Sequence, residues 1–228
     1  MIYVCSDLHG YPLDKFRAFL KKSGFTGDDT LWILGDVIDR NGDGGVETLR
    51  WIMKQKNIKM IMGNHELMML NCRNIFNKRH TINDILALDE WFENGGAVTA
   101  ETLTELKEKD GNAFDEIMEF VENLPLYAEI DCEGRRFVFV HGGLGDFSPH
   151  RRLSSYDIYD LVWTRLGIDE NYFKSKTVVL GHTPTKYYGE TYRGRILKTD
   201  TWINIDVGAA GGADPALLRL DDMKEFYA

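Results

Sequence analysis

Ile2-Tyr3-Val4-Cys5 runs into Ser6-Asp7-Leu8-His9-Gly10, Leu31-Trp32-Ile33-Leu34 into Gly35-Asp36-Val37-Ile38-Asp39-Arg40, and Ile58-Lys59-Met60-Ile61-Met62 into Gly63-Asn64-His65-Glu66. Further along, Phe137-Val138-Phe139-Val140 reaches His141-Gly142-Gly143, and Val178-Val179-Leu180 reaches Gly181-His182-Thr183. Four of the six histidines therefore stand directly behind short apolar runs. Imidazole, carboxylate and amide ligands without thiolate suit Mn, Fe or Zn. Two such ions about 3.5–4 Å apart lower the pKa of bound water and clamp an in-line displacement at phosphorus. A structural metal site closes with four ligands on one ion, and this set offers more candidates than that. His80 and His150 lie in polar, basic surroundings and read as solvent-facing.

The elements that must position these groups follow from the same runs. Short apolar, β-rich stretches read as buried strands, and in open α/β sheets ligands gather beyond the carboxyl ends of strands. Glycine beside a ligand permits the tight turn and close backbone approach of a compact site. Pro12 suits the first turn of a helix carrying Leu13, Phe16, Phe19 and Leu20 on one face, with Gly24 as its stop. A second helix is predicted around 44–56, with Val46, Leu49, Ile52 and Met53 at helical spacing. From Leu67 to Leu124 the pattern is mostly helical: Ile82, Ile85, Leu86 and Phe92 mark one helix, and Phe114, Ile117, Met118 and Val121 another. Asn94-Gly95-Gly96 breaks the stretch, and Leu124-Pro125 ends it. The expected organisation is one α/β domain over 1–228 with a helical insertion at about 67–125.

Composition narrows the class. The 228 residues carry 27 Lys plus Arg against 36 Asp plus Glu, a net charge of −9, which argues against general nucleic-acid binding but leaves room for a small cationic pocket. The 43% hydrophobic and 12% aromatic content can fill a substantial core. No apolar stretch approaches the roughly 18 residues of a membrane span, and the first residues lack a basic leader, so the expectation is a cytoplasmic protein without a membrane partner. Cys5, Cys72 and Cys132 are widely spaced and form no C-x-x-C, which reads as free thiols in a reducing compartment.

In order, S-D-L-H-G, G-D-V-I-D-R-N, G-N-H-E, H-G-G and G-H-T resemble the motifs of the phosphoprotein phosphatase branch of the calcineurin-like metallophosphoesterases. Asn94-Gly95-Gly96 and Trp163-Thr164-Arg165 are similar to segments of its small bacterial and phage members. The resemblance implies a metallophosphatase sandwich, α/β in class, of two mixed β-sheets flanked by helices. It implies two divalent ions, Mn first and Fe or Zn as alternatives. Asp7 and His9 would bind one ion, Asp36 would bridge both, and Asn64, His141 and His182 would complete the second. A bridging hydroxide would attack phosphorus directly. His65, oriented by Asp39, would protonate the leaving oxygen, while Arg40, Asn64, His65 and Arg165 contact the phosphoryl group. Two positions depart from the family pattern. Ser6 replaces glycine with little expected effect, and Asn41 replaces the glycine after Asp-Arg, where asparagine tolerates a left-handed backbone.

On these residues a protein serine/threonine phosphatase acting on phosphomonoesters stands first, with a phosphorylated protein or small phosphoester as its partner. A symmetrical diadenosine tetraphosphate hydrolase shares the same motifs, and the region 67–125 and the loops after His141 and His182 would distinguish the two. A non-catalytic phospholigand-binding module is the rival of another class; it predicts a lost ligand or acid, and none is lost. Glu66 reads as a pairing or capping residue and Asp206 as a structural hydrogen-bonding group. Lys78-Arg79-His80 and His150-Arg151-Arg152 read as solvated surface.

Overall fold

The computed structural model describes residues 1–77 and 81–228, so the Lys78-Arg79-His80 cluster lies outside the described residues. The chain opens with β1 (Ile2–Cys5), α1 (Leu13–Lys22), β2 (Thr30–Ile33), α2 (Val46–Ile52) and β3 (Ile58–Met60). Phe16, Phe19 and Leu20 form the buried face of α1, and the chain leaves it through Gly24 at φ 82°. The second helix is shorter than its apolar pattern, because left-handed Gly44 and Gly45 (φ 69° and 76°) block its start.

Four helices follow: α3 (Asn64–Asn71), α4 (Ile82–Glu93), α5 (Ala97–Lys109) and α6 (Gly111–Glu122). Next come β4 (Tyr127–Cys132), β5 (Arg135–Val140), α7 (Ile158–Val162), β6 (Thr177–Leu180), β7 (Leu197–Lys198), β8 (Trp202–Asn204), β9 (Ala216–Arg219) and β10 (Lys224–Tyr227). The strands build two five-stranded mixed sheets, ordered β10-β9-β1-β2-β3 and β4-β5-β6-β8-β7. Within them β1, β2 and β3 run parallel, as do β5, β6 and β8.

Strand alternation assigns each side chain to a layer. Val4, Trp32 and Leu34 of the first sheet share a core with Phe137, Phe139, Val179 and Ile203 of the second. Trp32 meets Phe139 edge-on, ring centroids 5.5 Å apart. The alternate residues Tyr3, Cys5, Leu31 and Ile33 join Phe16, Leu20 and Leu49 of the helices. Burial on both faces is why these strands read as continuous apolar runs. The architecture is the expected α/β sandwich of two mixed sheets flanked by helices. All three cysteines are free and buried.

One helix differs from its reading. The spacing locates α4, yet Ile82, Ile85, Leu86 and Phe92 are 68%, 50%, 60% and 43% exposed, while Asp84 and Trp91 are its buried residues. Apolar periodicity defines a face but not the neighbour that covers it. A different face docks: Trp91 is part of the core with Ala87 and Leu88 packed against it, Trp91 Nε1 reaches Asp39, and Asp84 accepts from Thr81 N at 2.6 Å to cap the helix. The strands β4 and β10 escape the sequence reading because half-exposed positions dilute their apolar signal with charges, as in Tyr-Ala-Glu-Ile-Asp-Cys, while β9 is a short buried Ala-Leu-Leu run without a β-branched residue.

Phe139→Ala should remove about 3–5 kcal/mol of stability by opening the layer between the sheets, whereas Leu86→Gln should stay within about 0.5 kcal/mol. Urea midpoints measure both. Equal losses would place the α4 face in the core.

Candidate active site

The candidate groups leave their strands at one edge of the sandwich and meet across it. Asp7 N donates to Gly35 O at 3.1 Å, Gly181 N to His141 O at 2.8 Å, and His182 N to both Asp7 carboxylate oxygens at 3.0 and 3.1 Å. Bringing so many polar groups together forces the backbone. Asp7, His9, Asp36, Asp39, Arg40 and His182 all hold positive φ, between 43° and 75°. Non-glycine residues adopt such angles rarely and at a cost of about 1–3 kcal/mol each, so the surroundings must hold them.

Glu66 does much of that holding. Its Oε2 accepts from Asp36 N at 2.8 Å and Gly63 N at 3.0 Å, and its Oε1 from Val37 N at 2.9 Å and Ile38 N at 3.4 Å. Burial and the Asp36 charge push this carboxyl up to about 7, against the pull of the backbone donors. Gly63 lies so close that a Cβ there would stand 2.2 Å from Asp36 Oδ1. The pairing or capping role read for Glu66 is thus a clasp between two strand-end loops.

Asp36 lies at the centre. Its Oδ2 is 3.3 Å from His141 Nε2, 3.6 Å from His9 Nε2 and 3.8 Å from His65 Nε2, and its Oδ1 accepts from His65 N at 3.0 Å. Asn64 Oδ1 lies 2.9 Å from both His141 Nε2 and His182 Nδ1. His9 Nδ1 sits 3.1 Å from Ile38 O and His141 Nδ1 2.6 Å from Leu34 O, which turns each Nε2 inward. Burial drives His9 down to about 3 and, with the neighbouring His141, His182 to the same level, so both rings are neutral. Burial opposes charge on His141 too, but Asp36 prevails and raises it to about 10. Burial lifts Asp7 to about 6 and carries Asp206, beside Asp7, well above the carboxylate range.

These observations fit cations. Buried His182 Nε2 has no hydrogen-bond partner, and crowded buried carboxylates are costly without positive charge nearby. Two groups, His9–Asp36–His65 and Asp36–His141–His182, each bring ligand atoms within 4.8 Å of one another and share Asp36. They could hold divalent ions. Asp7 lies just outside the first group, 3.9 Å from His9 Nε2.

His65 has a second environment. Its Nδ1 lies 2.6 Å from Asp39 Oδ2, and Arg40 NH2 approaches its Nε2 at 3.4 Å. Burial disfavours its charge, but Asp36 and Asp39 outweigh that and raise its pKa above the ordinary value. A cavity of about 220 Å³ opens onto His9, Asp36, Asn64 and His65, with Arg40 and Arg165 also lining it. Arg165 is steadied by His182 O at 3.3 Å and Thr183 Oγ1 at 3.1 Å. Trp163, Lys186 and Tyr187 complete part of the cavity wall.

The departures from the motifs resolve physically. The left-handed turn after Asp36 falls on Asp39 and Arg40, not on Asn41, whose Nδ2 instead donates to His9 O at 2.9 Å. Ser6 adds a hydroxyl donor to the Asp7 carboxylate. Asp206 makes the structural bond read for it, accepting from Gly208 N at 2.9 Å, but also lines the cavity. Arg151 is no freely solvated charge: it bonds Gly145 O, Ser155 O and Asp160 and lies over the Tyr156 ring at 3.8 Å. Sequence reasoning missed Trp91 and Thr99, which bond Asp39 from 52 and 60 residues away, and no local pattern announces such contacts. Lys186 and Tyr187 carried only the hint of following His182.

A family model described as calcineurin-like phosphoesterase matches residues 1–207. Over 90 residues the chain is 38% identical to the symmetrical bis(5'-nucleosyl)-tetraphosphatase of Chromobacterium violaceum, covering 37% of this chain and 32% of that protein. Over 152 residues it is 30% identical to the protein of the same name from Buchnera aphidicola subsp. Schizaphis graminum, covering 63% of this chain and 44% of that one. The chain spans less than half the length of these curated relatives. A protein serine/threonine phosphatase from Saccharomyces cerevisiae shares the fold, with a TM-score of 0.63 at 18% identity over 100% of this chain and 79% of that one.

Glu66→Gln turns an NH2 group toward backbone N–H donors and leaves two of them without an acceptor. Stability should fall by at least about 1–3 kcal/mol, and bound divalent metal should fall with it. Chemical denaturation and elemental analysis read the two effects, and a variant matching the parent in both would remove Glu66 from the clasp.

Proposed function

The chain belongs to the calcineurin-like phosphoesterase family, and on that premise we propose that it hydrolyses symmetrical dinucleoside tetraphosphates, as one domain over 1–228 with the helices of about 67–125 inserted in it. This reverses the order in which the motifs alone ranked the substrates. The relatives named above favour the dinucleotide, and one feature of the cavity carries the reading. Tyr187 is 71% exposed at the rim, with Lys186 Nζ 5.2 Å from its ring centroid. A solvent-exposed ring beside an ammonium suits a nucleobase that stacks while the cation meets its phosphates.

In this reading Asp7 and His9 hold one divalent ion, Asn64, His141 and His182 the other, and Asp36 both, with Mn preferred over Fe or Zn. When bound, the ions lower the pKa of a water and neutralise phosphoryl charge. The chain supplies the rest. Arg40 and Arg165, both exposed at the cavity, grip phosphoryl oxygens. Asn64 and His65 complete the phosphoryl contacts. His65 gives its proton to the oxygen leaving with one nucleotide, and Asp39 on Nδ1 keeps the other ring nitrogen turned to the cavity. The water's oxygen ends on the other nucleotide, so the P–O–P bridge yields two nucleoside diphosphates.

A phosphoprotein substrate is the second reading. The cavity's roughly 220 Å³ suits one phosphoryl group and its nearest neighbours, and among the described residues lining it the aromatic side chains Trp163 and Tyr187 belong to the loops after His141 and His182. A non-catalytic binding module is disfavoured because both the ligand set and the paired acid are complete.

With Mn added, kcat/KM for diadenosine tetraphosphate should exceed that for phosphoserine and phosphothreonine peptides, and a preference for the peptides would reinstate the phosphatase reading. Tyr187→Ala should raise KM for the dinucleotide about ten-fold, the loss expected of one stacked base. Chelator-stripped protein should lose turnover of every phosphoester and regain it with Mn. Full activity in the stripped protein would exclude the ligand assignment.

A further inference from the structure

Asp39 is fully buried and accepts hydrogen bonds from three separate elements. His65 Nδ1 from α3 and Trp91 Nε1 from α4 meet its Oδ2 at 2.6 and 2.8 Å. Thr99 Oγ1 from α5 donates to Oδ1 at 2.5 Å and accepts from Asp39 N at 3.1 Å. Trp91 and Thr99 are themselves 0% exposed. A carboxylate is free to turn about its last torsion unless both oxygens are held. The indole and the hydroxyl hold both, so the lone pair offered to His65 has one direction.

The turn between α4 and α5 makes this possible. A Cβ at Gly96 would stand 2.3 Å from the Trp91 ring, so glycine lets the chain fold back tightly enough to place Thr99 opposite the indole. The same turn accepts Arg40 N through Gly95 O at 3.0 Å. It thus steadies both Asp39 and the neighbouring arginine.

We infer that Trp91 and Thr99 are positioning residues for phosphoester hydrolysis, acting through Asp39 on the orientation of His65. The inference rests on His65 being the proton donor and is independent of which phosphoester is the natural substrate. Loosening Asp39 lets the ring of His65 drift from the leaving oxygen. That costs rate in proportion to how badly the leaving group needs a proton. A purely structural role would lower stability and slow all substrates alike.

The test compares p-nitrophenyl phosphate, whose leaving group departs unaided, with an alkyl phosphate, whose leaving group does not. The protein is Mn-loaded, and His65→Ala serves as the reference. Trp91→Phe keeps an aromatic ring, smaller than the indole, and drops the N–H; Thr99→Val keeps the shape and drops the hydroxyl; Thr99→Ser keeps the hydroxyl. Trp91→Phe and Thr99→Val should each lose about ten-fold in kcat on the alkyl ester and less than about two-fold on the nitrophenyl ester. KM and metal content should hold, and Thr99→Ser should return close to the parent. Equal fractional losses on the two esters, or no loss, overturn the inference if His65→Ala itself discriminates between them. If His65→Ala slows both alike, the proton-donor assignment fails instead and takes the inference with it.

Discussion

Four backbone N–H groups converge on the buried carboxylate of Glu66, and the rest of the site depends on that convergence. Asp36, Val37 and Ile38 lie on the loop after β2, and Gly63 on the loop after β3. Without an acceptor, four buried donors would each carry a desolvation penalty. With one, the two loops are drawn close enough that only glycine fits at position 63. Asp36 is thereby pinned between the imidazoles of His9, His65 and His141.

Charge explains the next layer. Asp7, Asp36 and Asp206 are buried together, and burial, helped by one another's charge, pushes Asp7 and Asp206 toward their neutral forms. His141 answers part of that negative charge by holding its proton, while His9 and His182 remain neutral and available. Such a cluster is unstable as a collection of side chains and sensible as a cradle for divalent cations, which is how the family uses it. The overall charge of −9 is no obstacle, because the relevant field is that of one cavity edged by Arg40 and Arg165.

The helices between β3 and β4 contribute more than cover. They lend Asp39 all three of its side-chain donors, and α4 leaves Ile82, Ile85, Leu86 and Phe92 largely exposed. On the other side, the loop after His182 carries Lys186 and Tyr187 to the cavity rim. On the proposed function, chemistry and selectivity reside in different places: strand ends would hold the reacting groups, and the intervening segments would orient the acid and meet whatever surrounds the phosphates.

What the amino-acid order determined by itself was local in character. Apolar runs ending in glycine and a polar residue announce strands whose termini bear His9, Asp36, Asn64, His141 and His182, since a strand buried on both faces needs a continuous apolar sequence and a tight exit needs glycine. The two-sheet sandwich was legible because those motifs together resemble one family. Registers such as Val4 beside Trp32, the antiparallel strands β9 and β10, and the exposure of Ile82, Ile85 and Leu86 were not. Each depends on a partner remote in the chain. The same holds for the left-handed turn falling on Asp39 and Arg40 rather than Asn41, which loop closure around Glu66 and Gly95 imposes. Trp91 and Thr99 are the extreme case: an ordinary tryptophan and threonine in sequence, they become hydrogen-bond partners of Asp39 only because tertiary packing brings two helices over one buried carboxylate, where every hydrogen bond must be made.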